Sequence, residues 1–245
     1  MEISLAAEKI AHIGALPVTN SMLLSWIASI MLTIFAYLST KQMSSIPQGI
    51  QNFFETVIEL LFNTANSVLD DEEATKKYFP FVATLFIFII ANNWLGLIPG
   101  VGTIGIHEIK EGHEVLVPIF RAGTADLNTT LALAITTMIA VQVVGVAALG
   151  TFKYAKKFFN FKGPIDFFVG ILELMSEFSK IISFSFRLFG NVFAGEVLLT
   201  VIAFLLPLIA PLPFFFLEIF VGFIQALVFT MLALVFIKGA IMEAH

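Results

Sequence analysis

Cysteine is absent from the 245 residues, and charge is scarce: Lys and Arg total 13, Asp and Glu 18. Without cysteine there is no disulfide framework, no thiolate metal site and no cysteine nucleophile. The four histidines (His12, His107, His113 and His245) are scattered, with none at the i, i+4 spacing of a helical metal pair. No metal or other cofactor is expected, and His107 and His113 are given no role. A net charge of −5 offers no basic surface to a phosphate backbone, which excludes nucleic acid as a partner. The first twenty residues lack a basic start ahead of an apolar run. No signal peptide is expected there, and the N-terminus is expected to belong to the mature chain.

Apolar residues take the place of charge. They make up 58% of the chain, with 28 Phe and a mean hydropathy of +0.96. A soluble protein of this size keeps a wet surface that so few charges cannot cover. A soluble enzyme and a disordered tail are therefore excluded. The chain is expected to be an all-α polytopic membrane protein embedded in a lipid bilayer as a single domain.

A spanning helix needs about 20 mostly apolar residues. After an outer N-terminal segment, residues 1–20, the first such run covers 22–38 and ends before Lys41; Pro47 then breaks the chain. Residues 51–69 differ in character. Phe54, Val57, Ile58, Leu61 and Phe62 recur at helical spacing, with Asn52, Glu55, Glu59, Asn63 and Asn66 between them. This predicts an amphipathic helix lying on the membrane or on a partner helix, closed by a solvated acidic loop at 70–73. The second span is 79–98, followed by an outer polar loop at 100–123. The third span is 127–149, and a short basic segment with Lys153, Lys156, Lys157 and Lys162 comes next.

The last third lacks proline between Pro164 and Pro207. Residues 164–206 are thus expected to form one helix, about 65 Å long at 1.5 Å per residue. Because a bilayer core is only about 30 Å thick, this helix must tilt, bend or start along the surface. The prolines at 207, 211 and 213 break it, and a last helix at 214–237 returns antiparallel. The fold expected is five transmembrane helices plus one amphipathic helix, the last two forming a long, steeply tilted hairpin. Eight lysines fall on one side of such an arrangement. Only Lys9, Lys110 and Arg121 fall on the other, so the N-terminus is expected outside and the C-terminus in the cytoplasm.

Arg187 lies at the centre of the long helix, where translocon scales put its cost at about 2.5–3.5 kcal/mol. At 100° per residue, Glu173, Ser176, Lys180, Ser183, Asn191 and Ala194 fall within about 40° of it, a narrow polar and small-residue stripe. A buried structural ion pair is one reading, and it requires a carboxylate. Glu173 and Glu177 are about 21 and 15 Å away along the helix, so the other reading places the partner carboxylate on another chain. Glu196 faces the opposite side. On the last helix Glu218 and Gln225 share a face, with Gly222 between them, and the hairpin brings that face near Arg187 and Glu196. Each glutamate alone reads as a hydrogen-bonded structural acid; with Arg187 the set reads as an ion-conducting path. Asn92 and Asn93 end the second span, and Asp126 and Asn128 open the third, where Asp126 also reads as an N-cap.

The block Arg187-Leu-Phe-Gly-Asn-Val-Phe-Ala-Gly-Glu196, the proline-broken hairpin, and Glu218 with Gln225 resemble the a-subunit family of the F-type ATP synthase membrane sector. Pro47-Gln-Gly-Ile-Gln-Asn-Phe-Phe-Glu55 with Glu59, residues 93–99, and Thr124-Ala-Asp-Leu-Asn128 resemble the family's other blocks in the same order. The resemblance implies a non-catalytic stator beside a rotating c-ring of proteolipid subunits, held by b-type peripheral stalk subunits in a bacterial-type energy-coupling membrane. It implies two offset half-channels, with Arg187 as the arginine that keeps the passing ring carboxylate deprotonated. Gln225 matches the glutamine near that arginine, Glu196 and Glu218 the polar pair of the outer half-channel, and Asn191, Asn93, Asp126 and Asn128 polar positions around these paths. Glu173, Lys180 and Ser183 match its cytoplasmic lining. Many relatives have one histidine where this chain has Glu196 and Glu218, so the two carboxylates are expected to share a proton. Two other functions compete: a stand-alone secondary transporter or channel that binds an anion through Arg187, and a purely structural assembly subunit. No internal repeat of the kind such transporters carry is found, and a structural subunit leaves Arg187 and Glu196 without a purpose.

Overall fold

The computed structural model describes residues 6–14, 16–41, 49–110, 113–158, 163–206 and 209–242. Pro47, Lys162 and Pro207 lie outside them. Among the described residues five helices are long and apolar enough to cross a membrane: α1 (Asn20–Thr40), α3 (Glu72–Gly96), α4 (Leu127–Leu149), α6 (Pro164–Leu205) and α7 (Pro211–Met242). Two others join them, α2 (Ile50–Leu69) and α5 (Thr151–Phe158). The chain is an all-α membrane protein with minor β-structure at one end.

α2 packs its apolar stripe on other helices of the chain. Leu61 joins Phe86, Ile89, Ala134, Phe184, Leu188, Ala226 and Phe229 in one buried cluster; Ala65 and Leu69 join Val82, Val141, Leu234 and Ile237 in another. The Lys238 ammonium donates to the Val68 carbonyl at 2.9 Å, which satisfies a helix-end acceptor.

Residues 70–73, expected as a loop, instead join two helices tightly. Asp70 is left-handed (φ 57°) and closes α2, its N–H bonding the Asn66 carbonyl at 2.8 Å. The Asp71 carboxylate accepts from the Glu73 and Ala74 amides, which caps α3 at Glu72 rather than near 79. The first turns of α3 are polar, with a Glu72–Lys76 pair at 2.6 Å, so hydropathy misses them. Pro80 sits inside this helix.

The segment expected as a polar loop, 100–123, is largely β-structure: β3 (Pro99–Gly102), then β4 (Gly105–Lys110) pairing antiparallel with β5 (His113–Pro118), from Gly105 opposite Pro118 to Lys110 opposite His113. A 3-10 turn, Gly123–Ala125, leads into α4. The N-terminal segment forms a second hairpin, Lys9–Ile13 against Leu16–Thr19. Asn20 ties the two together, since its amide donates to the Pro118 carbonyl at 3.2 Å. The short basic segment is α5, anchored by buried Tyr154.

α6 runs 42 residues without interruption from Pro164 at its first turn, and α4 and α7 pack against it. α7 starts at Pro211, earlier than the expected 214, and runs on to Met242, past the expected 237. Pro211 and Pro213 both lie in its first turn, where amides have no helical partner and proline costs nothing.

Candidate functional site

A cavity of about 980 Å³ opens at the end of the bundle that carries the two hairpins and the α6–α7 turn. Asn93 of α3, Asn191 and Glu196 of α6, and Glu218 and Gln225 of α7 all line it. Five of the residues singled out in the sequence therefore share one space.

The antiparallel register of α6 and α7 produces this. The Asn191 amide donates to Gln225 Oε1 at 2.6 Å, and one turn further along, the Glu218 carboxylate rests directly on the backbone of Gly195. α3 is clamped to the same face of α7 by two side chains. Asn93 Nδ2 donates to the Gly222 carbonyl at 2.9 Å, and Trp94 Nε1 to the Ile219 carbonyl at 3.1 Å. Gly222 allows the approach, since an added Cβ there would sit 3.2 Å from that of Asn93.

Sequence reasoning missed one component of the wall. Arg121, taken as an outer loop charge, is only 4% exposed and donates from Nε to Glu196 Oε2 at 3.3 Å. Its Nη1 donates to the Ala6 carbonyl at 3.3 Å, and its guanidinium lies 5.8 Å from the centre of the Phe193 ring. Glu196 thus has a cation in its own chain, whereas Glu218 has no ion-pair partner among the described residues. The two carboxylates are unlike, which the expectation of a shared proton did not include. A basic residue three positions before Thr124-Ala-Asp-Leu-Asn128 was the signal available.

Asp126 and Asn128 do not line the cavity. Asp126 caps α4, accepting from the Asn128 amide at 3.2 Å, and also accepts from Ser21 Oγ at 3.2 Å. It belongs to a buried strap, residues 121–126, fastened to α1 and α3. Thr124 Oγ1 donates to Asn93 Oδ1 at 2.7 Å, Ala122 packs on Gly96, and Gly123 fits against Ser25 and Asn92. A Cβ at Gly123 would overlap the Ser25 hydroxyl. Gly123→Ala is expected to lower stability by about 1–3 kcal/mol, the usual cost of overpacking. Thermal denaturation of the detergent-solubilised protein checks this; an unchanged midpoint contradicts so tight a fit.

Arg187 lies one turn beyond Asn191, outside the cavity. It is exposed on α6 and donates to Ser183 Oγ at 3.3 Å; no carboxylate pairs with it among the described residues. Ser176, Ser183, Asn191 and Ala194 are exposed on the same stripe. Further toward the N-terminus of α6 lies a second polar group. Lys180 pairs with Glu177 at 2.6 Å, Gln142 Nε2 donates to Glu177 at 2.9 Å, and the Tyr154 hydroxyl donates to Gln142. Glu173 pairs with Lys157 at 2.9 Å. Arg187 therefore stands between a polar cavity on one side and a charged cluster on the other. Among the described residues no group of His, Cys, Asp and Glu is placed to hold a metal.

Residues 22–238 match the family model described as ATP synthase A chain. A protein of Moorella thermoacetica named ATP synthase subunit a is 34% identical over 231 residues, 94% of either chain. Proteins of the same name from Geotalea uraniireducens and Campylobacter jejuni are each 35% identical over 224 residues. The first covers 90% of this chain and 87% of the relative; the second covers 89% of both.

Proposed function

Because the chain belongs to the ATP synthase A chain family, we propose that it is the stator of the membrane sector, set against a ring of proteolipid subunits and held by b-type stalk subunits. It carries out no bond chemistry itself. The cavity that contains Glu196 and Glu218 is the half-channel from the outer side. The group around Glu173, Glu177 and Lys180 lines the way to the cytoplasm. Arg187 separates the two paths.

The observation that carries this reading is the state of Arg187: an exposed cation at mid-helix, unpaired among the described residues, between two polar regions that it does not enter. A guanidinium in lipid without a counter-charge is costly, so a carboxylate from outside the chain has reason to meet it there. An opposite charge within about 4–6 Å favours the deprotonated form of a carboxylate by about ten- to a thousandfold. A ring carboxylate reaching Arg187 releases its proton, and rotation then presents it to the other half-channel. The exposed Ser176, Ser183 and Ala194 let a ring helix approach closely. The lysines support an orientation: with buried Arg121 set aside, eight basic residues against two favour the N-terminus outside and the C-terminus in the cytoplasm.

Purification through a tag on this chain tests the proposal. A ring of small two-helix proteolipids is expected to come down with it, together with stalk subunits. Isolation as a free, active anion carrier would overturn the stator reading in favour of a stand-alone transporter.

A further inference from the structure

We propose that Arg121 is a positioning residue of the outer half-channel: it aims the Glu196 carboxylate into the cavity and supplies its counter-charge, which sets Glu196 apart from Glu218. This rests on reading the cavity as a proton path.

The backbone argument comes first. Arg121 begins a strap in which all six residues, 121–126, are buried. Side chains of α1 and α3 fasten that strap through Ser21, Asn92 and Asn93, and the same Asn93 binds α7 at Gly222. The arginine's Cα is thus fixed relative to α7, the helix that carries Glu218 and Gln225. A side chain held by such a shell places its charge within a fraction of an ångström, whereas one on a free loop does not.

The chemistry of the guanidinium comes second. A purely structural ion pair is stable only when every buried donor is satisfied. Here Nη2 is buried and has no hydrogen-bond partner, a condition that costs stability. Arg121 lines the cavity together with Glu196 and Glu218. The pair with Glu196 is at 3.3 Å, long for a charge-assisted bond, and the glutamate side chain keeps 35% exposure against 5% for the arginine. The cation is therefore fixed and enclosed, while the carboxylate is accessible and able to exchange its partner. That division suits a carboxylate that takes up and passes on a proton beside a cation that does not move.

The test is ATP-driven acidification of vesicles reconstituted with the intact complex carrying Arg121→Gln, Arg121→Lys, Glu196→Gln or the double variant Arg121→Gln/Glu196→Gln. Arg121→Gln is expected to slow acidification about tenfold or more, as displaced reacting groups do. Arg121→Lys is expected to recover part of the rate. In the Glu196→Gln background, Arg121→Gln is expected to cause no further loss, because its effect runs through that carboxylate. Normal pumping by Arg121→Gln, or an equal loss in both backgrounds, overturns the proposal. If Arg121→Gln does not assemble, recovery of assembly in the double variant supports the pairing. Failure of both makes Arg121 a mere strut and overturns the proposal. Arg187→Ala and Glu196→Gln serve as references: if both pump normally, the proton-path reading itself fails, and this inference falls with it.

Discussion

Replacing Arg187 with alanine is expected to reduce ATP-driven acidification of reconstituted vesicles to background while the complex still assembles. The two halves of this expectation have separate grounds. Assembly survives because Arg187 is exposed and bonds only Ser183, four residues away on its own helix, so no packing within the chain depends on it. Coupling is expected to be lost because no other residue among those described supplies a cation at that level of α6. Lys180 is seven residues away and already paired with Glu177; Arg121 is enclosed beside Glu196. Without the guanidinium, on the proposed stator reading, a ring carboxylate would lose the ten- to thousandfold or so bias toward release that a close opposite charge provides. Acidification assayed next to subunit composition on a gel separates the two halves. Normal pumping by an assembled variant would remove Arg187 from the mechanism.

The second large effect is expected at a residue that carries no charge. A Cβ at Gly195 would overlap the carboxylate of Glu218. That carboxylate is the far end of a flexible side chain, so it swings aside and Gly195→Ala should fold and assemble with little change in thermal midpoint. The displaced group no longer occupies its place in the cavity wall, and a shift of about 1 Å in a reacting group can cost about a hundredfold in rate. Gly195→Ala is therefore expected to pump as poorly as Glu218→Gln, at least about tenfold below the unmodified complex. Wild-type rates for Gly195→Ala would show that the position of Glu218 is unimportant. A large fall in the thermal midpoint would instead mark Gly195 as a packing glycine.

The long helix was the most legible element, because its evidence is local. No proline occurs between Pro164 and Pro207, and helical hydrogen bonds connect residues only four apart. The start of α3 was hidden for the opposite reason. Its first turns owe their helicity to the Asp71 cap and to polar side chains, neither of which raises hydropathy. The hairpin within 100–123 depends on pairing between strands, which polar composition does not reveal. In the site, Glu218 and Gln225 could be grouped because they lie seven apart on one helix. Arg121 could not be joined to Glu196, 75 residues away, by any periodicity.

The sequence by itself determined that this protein lives in a membrane, how many helices are long enough to cross it, and that one overlong helix carries an arginine at its middle. These are one-dimensional properties, set by transfer free energy and helical repeat. Only the tertiary structure decided which side chains meet: Asn191 with Gln225, Asn93 with the backbone at Gly222 from 129 residues away, and Arg121 with Glu196. Those meetings depend on helix register and on the path of a buried strap. Polar contacts and the close approaches at Gly195 and Gly222 hold that register.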